Sequence, residues 1–316
     1  MKENLFIIGG SGFIGKNLTE YFINKFNIYI IDKFIDVSFF SSLRQKIKSE
    51  EDSSKTDSEL VTIQWDLSEN KFTQTLPDPD YIVNLASVVT ADRNLSLFDS
   101  MISSNLKVLM NLYDAYKESK HLKLFVQFGS SEEYGNVKSP YIETMREQPD
   151  SPYSLIKQLT VNTSLMLFRN YGFPVTVVRP GNLFGKYQNT EKFIPYIITK
   201  LKKNDPIDVT LCEQKRDFIY AEDFAWCISE IITHYDRVKG EIINVASGES
   251  IALKDIIETL KKELNSSSIV NYGKIPYREN EAMDLRCNID KFENLTSSKI
   301  TFNVKQRFKE LAEKFI

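Results

Sequence analysis

The stretch Asn4-Leu5-Phe6-Ile7-Ile8-Gly9-Gly10-Ser11-Gly12-Phe13-Ile14-Gly15 constrains this chain more than any other. Leu5 to Ile8 is a short apolar run, the pattern of a parallel strand covered on both faces. Gly9, Gly12 and Gly15 follow at GxxGxxG spacing, and a helical pattern begins at Phe13. Glycines let the backbone turn sharply and approach a pyrophosphate, which then meets free N–H groups and the positive end of a helix dipole. A second apolar run, Ile28 to Ile31, ends in Asp32, 17 positions after Gly15. That is close to where a dinucleotide fold sets an acid against the adenosine ribose. Glycine turns also occur for purely structural reasons. The order strand, glycine turn, helix, strand, acid is what points to a dinucleotide.

The alternation continues. Helix one is expected from Phe13 to about Lys25, with Leu18, Phe22 and Phe26 on one face. Strands are expected at Leu60 to Gln64, Tyr81 to Leu85, Leu122 to Phe128 and Val175 to Val178. Long helices are expected from about Ser96 to Glu118 and from Pro152 to about Asn170. Ser151 caps the second, and Pro152 suits its first position. The polar tract from Ser41 to Ser58 reads as a surface excursion, partly helical or mobile. Residues 1–180 therefore predict an α/β fold, a doubly wound parallel (Rossmann) sheet. After Pro180 the pattern loosens. Helices near 193–203, 221–234 and 253–264 alternate with short strands near 207–211 and 242–245. Residues 181–316 are expected to form a smaller C-terminal α/β substrate lobe, closing over the mouth of the sheet.

Composition removes other classes. Of 316 residues, 42% are apolar and 26% charged, with a net charge of −3, so neither nucleic acid nor an anionic membrane is an expected partner. No apolar run approaches the roughly 18 residues that span a bilayer. Lys2 and Glu3 lead into a strand, which is not the pattern of a signal peptide. Cys212, Cys227 and Cys287 lie far apart, as expected of reduced thiols in a cytoplasm. With two histidines and no clustered ligands, no metal site is expected.

The pattern YxxxK matches at Tyr21, Tyr29, Tyr113, Tyr116, Tyr134, Tyr153, Tyr196 and Tyr235, so context must choose. Tyr153 and Lys157 fall in the first turns of a helix, one turn apart on one face, after the strand that ends at Ser130. Ligands bind at strand ends in such sheets. Hydride transfer at a carbinol carbon needs a proton moved at its oxygen. A free phenol titrates near 10, so neutral-pH work asks for a fall of about three, or roughly 4 kcal/mol. The Lys157 ammonium and a positive nicotinamide ring would supply it, while Ser130 holds the substrate oxygen.

With these residues in view, the chain resembles the extended short-chain dehydrogenase/reductases of the NAD-dependent epimerase/dehydratase family over essentially its whole length. GGSGFIG at 9–15 is similar to the family's cofactor turn, implying contacts from Gly9, Gly12, Phe13, Ile14 and Gly15. Asp66-Leu67 resembles the pair that meets adenine. Leu85-Ala86-Ser87 resembles the fourth-strand motif, with Ser87 where a second alanine is usual. Asn105 sits where the family keeps an Asn beside the active-site helix. Gly129-Ser130-Ser131-Glu132-Glu133-Tyr134-Gly135 resembles the catalytic serine loop. Arg179-Pro180-Gly181-Asn182-Leu183-Phe184-Gly185 resembles the segment touching nicotinamide and sugar phosphate, which implies a cofactor contact from Pro180 and a substrate contact from Asn182. Arg216 and Arg278 correspond to arginines that grip a nucleotide-sugar diphosphate, a role that suits their planar forks. Phe193 and Ile194 would line the base or sugar. The resemblance also implies a homodimer, the two long helices forming a four-helix bundle between subunits.

Asp32 favours NAD by accepting from the 2′-OH and repelling a 2′-phosphate. Lys33 beside it softens that exclusion and leaves NADP open. The expected reaction is at C4 of a nucleotide-activated hexose, as a 4-keto reductase or 4-epimerase serving deoxysugar and surface polysaccharide synthesis. Lys192 to Ile198, Lys215 to Ile219 and Tyr277 to Asn280 are locally similar to the CDP-abequose and CDP-paratose synthases, which are 4-keto reductases. The alternative is a 4,6-dehydratase with Glu132 as C5 base. A second alternative is an inactive dinucleotide-binding scaffold.

Overall fold

The structure, a computed structural model, describes residues 2–50, 58–90, 92–279 and 281–314. The first strand, β1 (Asn4–Ile8), sends Leu5 and Ile7 to one side and Phe6 and Ile8 to the other. Both sides are apolar, so both must be covered. Around it run β2 (Asn27–Asp32), β3 (Leu60–Gln64), β4 (Tyr81–Asn84), β5 (Leu124–Phe128) and β6 (Val175–Pro180), all parallel. One face of the sheet packs Leu18 and Phe22 of α1 (Phe13–Phe22) and Phe40 of α2 (Val37–Glu50). The tract expected at 41–58 is thus helical up to Glu50, and residues 51–57 lie outside the described residues.

The other face packs α4 (Val108–Tyr116), which follows α3 (Phe98–Ile102), and the end of α5 (Pro152–Tyr171). The helix expected to run unbroken over 96–118 is interrupted. A 3-10 turn at Leu95–Leu97 and a π-helical turn at Ser103–Lys107 interrupt its regular winding. Ser151 and Ser154 form a reciprocal cap at the start of α5, and Gly172 ends it in the left-handed region, at φ 69°.

The chain then leaves the sheet through β7 (Asn182–Phe184), α6 (Phe193–Lys203), β8 (Ile207–Asp208) and β9 (Lys215–Tyr220). It returns with α7 (Ala221–Thr233), the short α8 (Tyr235–Val238) and β10 (Ile242–Val245). Strand β10 pairs in parallel with β6, so the main sheet has seven strands in the order β10-β6-β5-β4-β1-β2-β3. Residues expected in the second lobe thus complete the first: Phe224, Ile228 and Ile231 of α7 pack beneath β1 and β5. The reason is burial, because α7 and β10 are too apolar to stand on the lobe's surface. The remaining elements, β11 (Ser250–Ala252), α9 (Leu253–Glu263), β12 (Val270–Asn271), β13 (Asp284–Leu285), α10 (Asp290–Thr296) and α11 (Val304–Lys314), follow. The lobe's own core gathers Phe184, Ile197, Ile198, Phe218, Ile257 and Phe308. Its small sheet joins β11, β9 and β13, with β7 paired to β9.

Candidate active site

The sheet order reverses between β1 and β4, which opens a crevice at their carboxyl ends. Gly9 leaves β1 there with φ +74°, a conformation only glycine adopts freely, and its N–H donates to Ile31 O at 2.8 Å. A Cβ on Gly15 would run into the Gly10 backbone, whereas one on Gly12 would meet only Gly9 O, at 3.4 Å. Gly12 is also the N-cap of α1, with no side-chain cap and no acid in the first turn. The opening N–H groups of α1 therefore face the cleft without a capping side chain, as a pyrophosphate requires. The cradle fits a dinucleotide.

One open cleft of about 1020 Å³ runs from this turn to the C-terminal lobe. Pockets for one drug-sized ligand span about 300–1,000 Å³, so this cleft has room for more. Every site residue named from the sequence lines it except one. On the cofactor side these are Gly9, Gly12, Phe13, Ile14, Gly15, Asp32, Lys33, Asp66, Leu67, Leu85, Ala86, Ser87 and Pro180. Asp32 accepts from Ser11 N at 3.0 Å and Phe34 N at 3.1 Å, which braces the glycine turn; burial pushes its carboxyl up against those bonds. Asp66 accepts from Ser68 Oγ and N, which holds its carboxyl down and charged.

Asn105 is the exception. It lies in the π turn, 2% exposed, with Nδ2 donating to Met101 O at 2.9 Å, and it does not line the cleft. The wider turn packs against α5 and buries it, while Ser104 and Val108 of the same helix reach the wall. Direct cofactor contact by Asn105, expected from the sequence, is corrected on this point.

Ser130, Tyr153 and Lys157 converge where β5 and α5 meet the cleft. Ser130 caps a 3-10 turn, accepting from Glu132 N at 3.2 Å, and its hydroxyl favours the Tyr153 phenolate. Lys157 Nζ donates to Phe128 O at 3.1 Å and stands 5.9 Å from the Tyr153 ring centre. Burial pushes the Tyr153 phenol up, with Glu132 adding to the rise, and pushes Lys157 down to about 8. The fall in phenol pKa expected from Lys157 and a nicotinamide ring together is not supplied by Lys157 alone. Burial penalises the phenolate more than Ser130 favours it.

The two glutamates after Ser131 separate completely. Glu132 faces the cleft, and its enclosure and Asp150 raise its carboxyl against Lys192, Arg278 and Arg93. Glu133 is fully buried and accepts from Ser130 N at 2.6 Å and from Arg179 Nε at 2.8 Å. Arg179, also fully buried, donates to Glu147 at 2.6 Å and lies over Tyr134. Arg179 thus supports the serine turn from behind; the side chain of its segment that reaches the cleft is Asn182.

The substrate side collects Asn182, Phe193, Ile194, Arg216 and Arg278. Strand alternation explains β9: Arg216 and Phe218 line the cleft, with Gln214 just ahead of the strand on the same side. Asp217 between them points inward. It accepts from Ser247 Oγ at 2.6 Å and from the N–H groups of Ser247, Gly248 and Cys287, while burial raises it to about 6. Arg216 donates to Ala282 O at 2.7 Å and pairs with Glu281. Arg278 is exposed on the wall. α6 also begins at the cleft without a side-chain cap, offering N–H groups beside Lys192.

Sequence reasoning left out Arg93, Asp150, Lys192, Gln214 and Glu281, all on the wall. Lys192 opens a motif that was read without being given a role, and Gln214 flanks another. Arg93, which pairs with Asp150 at 2.9 Å, carries no local signal. Among the described residues no cluster of metal-ligand types occurs, and no helix is long and apolar enough to cross a membrane. The three cysteines are free and buried.

A model of the NAD dependent epimerase/dehydratase family matches residues 5–246. CDP-abequose synthase of Salmonella muenchen is 38% identical over 117 residues, 35% of this chain and 38% of that protein, so the match spans well under half of that relative. dTDP-glucose 4,6-dehydratase of Haemophilus influenzae is 28% identical over 289 residues, 87% of this chain and 84% of that protein. Among solved structures, UDP-N-acetylglucosamine 4-epimerase of Methanobrevibacter ruminantium superposes with a TM-score of 0.84 at 23% identity, covering 100% of this chain and 99% of that one. At that identity the likeness establishes the fold.

Proposed function

The chain belongs to the NAD dependent epimerase/dehydratase family, and we propose that it moves a hydride at C4 of a nucleotide-activated hexose, as a 4-keto reductase or a 4-epimerase. The observation that carries this is the meeting of Ser130, Tyr153 and Lys157 in the same cleft as the uncapped glycine turn. Bound NAD would supply the hydride acceptor or donor and a positive charge beside the phenol. Tyr153 moves the proton at O4, Ser130 holds that oxygen, and Lys157 keeps a positive charge next to both. Arg216, Arg278 and the start of α6 hold the diphosphate. The relative named for CDP-abequose synthesis agrees with a 4-keto reductase.

Glu132 supports a second reading, a 4,6-dehydratase. Its carboxyl faces the cleft and is the strongest charge acting on Tyr153, which supports its being within reach of a reacting sugar as a C5 base. The relative named dTDP-glucose 4,6-dehydratase, matched over most of both chains, agrees with that. An inactive scaffold is the weakest of the three readings, since nothing in the fold requires all of Ser130, Tyr153 and Lys157 in the cleft.

Mass spectrometry of UDP-, CDP-, GDP- and dTDP-hexoses and their 4-keto forms, incubated with protein and NAD or NADH, separates these readings. Ketone reduction adds two hydrogens, epimerisation leaves the mass unchanged with a new retention time, and dehydration removes one water. No change in any sugar, with NAD bound, defeats the enzyme reading.

The protein would act as a homodimer in a reducing cytoplasm. Ile102 of α3, Met110 of α4 and Leu159 of α5 stay exposed on helices that a second copy would cover. Sedimentation showing only monomer would overturn this.

A further inference from the structure

We propose that Glu133 is a positioning residue for the reaction: its buried carboxylate holds the Ser130 backbone and is the counter-charge that keeps Lys157 an ammonium. The proposal rests on the reading of Ser130, Tyr153 and Lys157 as the reacting groups.

Lys157 needs such a charge. It is 3% exposed, and among the described residues only the Phe128 carbonyl bonds its Nζ, with no carboxylate paired to it within 4.0 Å. A buried ammonium held by one neutral acceptor gives up its proton readily. A positive nicotinamide ring in the cleft would push it further that way.

Glu133 lies against the same short stretch of backbone. Its Oε1 accepts from Ser130 N at 2.6 Å, and a Cβ on Gly129 would strike that oxygen. The ammonium is tied to Phe128 and the carboxylate to Ser130, and both are closed off from water. In so dry a place opposite charges act on one another with little screening, even without direct contact.

The elements packed around Lys157 bring Tyr153 from α5, Glu132 and Glu133 from the 3-10 turn, and Arg179 from β6. They also bring Asp99 from α3 and Lys107 from the π turn, both exposed, while Glu147 and Asp150 precede α5. Among these described residues, Glu133 is the charge that bears on the ammonium. Arg179 does not cancel it. Its guanidinium donates from Nε to Glu133 at 2.8 Å and from Nη2 to Glu147 at 2.6 Å, so one positive charge is shared by two carboxylates. Glu133 and Glu147 thus balance Arg179 and Lys157. Without Glu133 the set is left with a net positive charge behind the ammonium.

The test follows the titration of isotope-labelled lysine side chains by NMR in the full chain, free and loaded with NAD. Lys157→Met identifies the Lys157 signal. In the parent that signal should titrate near 8, apart from surface lysines at about 10.4. Glu133→Gln should lower it by about one unit or more. That variant leaves Arg179 short of a partner, so Glu133→Gln is also combined with Arg179→Met. Removing a buried pair together is commonly neutral for stability, and the same fall should appear. Glu147→Gln takes the other acid from Arg179 and should leave Lys157 where it was. A Lys157 signal that does not move in the double variant overturns the proposal, as does an equal fall in Glu147→Gln. Lys157 already neutral at pH 7 in the parent overturns it with no variant at all. An unmoved Lys157 beside an active sugar panel removes this role and keeps the proposed function; an inert panel removes both.

Discussion

The two halves of the cleft are built differently. The cofactor half is mostly backbone: Gly9, Gly12 and the uncapped start of α1 are fixed by one strand, one turn and one helix. It needs no rearrangement to present its N–H groups. The substrate half is mostly charged side chains, and several are engaged with the chain's own acids, Arg216 with Glu281 and Arg93 with Asp150. The diphosphate proposed to bind there would exchange partners with a carboxylate. The first half is preorganised, while the second gains affinity only by the difference between two ion pairs.

The largest expected effect lies where the halves meet. Tyr153→Phe removes the phenol proposed to move the proton at O4 and should cut turnover by about 10²–10⁴-fold while NAD affinity is kept. Turnover near the parent rate on the sugar panel would break the acid/base assignment.

Next comes the preorganised half. Gly15→Ala forces a Cβ into the Gly10 backbone, and overpacking of about 1–3 kcal/mol should weaken NAD or the fold by roughly 5–100-fold. Gly12→Ala has room in the fold and should act on NAD alone. Equal melting temperatures and equal NAD affinities for the two variants would contradict the close approach at Gly15.

The exchange half gives effects of opposite sign. Arg216→Gln should weaken a nucleoside diphosphate by about 10–100-fold, the scale of a charged hydrogen bond. Glu281→Gln should tighten it by a few-fold, because the diphosphate then has no carboxylate to displace. Calorimetry at two salt concentrations reads both, and weaker binding in Glu281→Gln would end the idea of a competing carboxylate.

Lys157 gives a pH test of the junction. Its pKa is lowered from 10.5 to about 8 in the fold, so the unfolded chain binds more protons between those values and stability rises with pH across that window. Below about 8 the buried ammonium is a fixed cost. Lys157→Met should therefore melt a few degrees higher at pH 7, about 2–4 °C per kcal/mol, and be inactive. Phe128 O keeps its bond from Gln127 Nε2, at 3.1 Å, so the variant strands no acceptor. In the parent, kcat/KM should fall as pH rises through about 8 and the ammonium is lost. A flat profile from pH 7 to 9.5 would show that its charge is not needed. The smallest effect belongs to Arg93→Ala: its pair with Asp150 is exposed, so stability should change by less than about 1 kcal/mol.

What was legible in the sequence follows chain distance. Gly9 to Asp32 is a single βαβ unit, and each of its site residues is placed by neighbours within a few positions, so spacing alone revealed it. The spacing of Tyr153 and Lys157 recurs at seven other tyrosines, so it was the capped helix start after a strand end that singled this pair out. Periodicity also gave six strands of the main sheet. It assigned Ile242 to Val245 to the wrong layer, because a strand's pattern says that it is buried and not against which neighbour.

The sequence by itself determined the strand, glycine turn and helix that cradle a dinucleotide, because backbone geometry there depends on residue type and local order. Only the tertiary structure decided that Glu133 is locked to Arg179 while Glu132 faces the cleft. It alone decided that Asn105 is buried, and that Arg216 already holds Glu281. Those outcomes depend on desolvation and on charges brought together from segments up to 65 residues apart, and no spacing rule records which of two adjacent carboxylates will find a buried guanidinium.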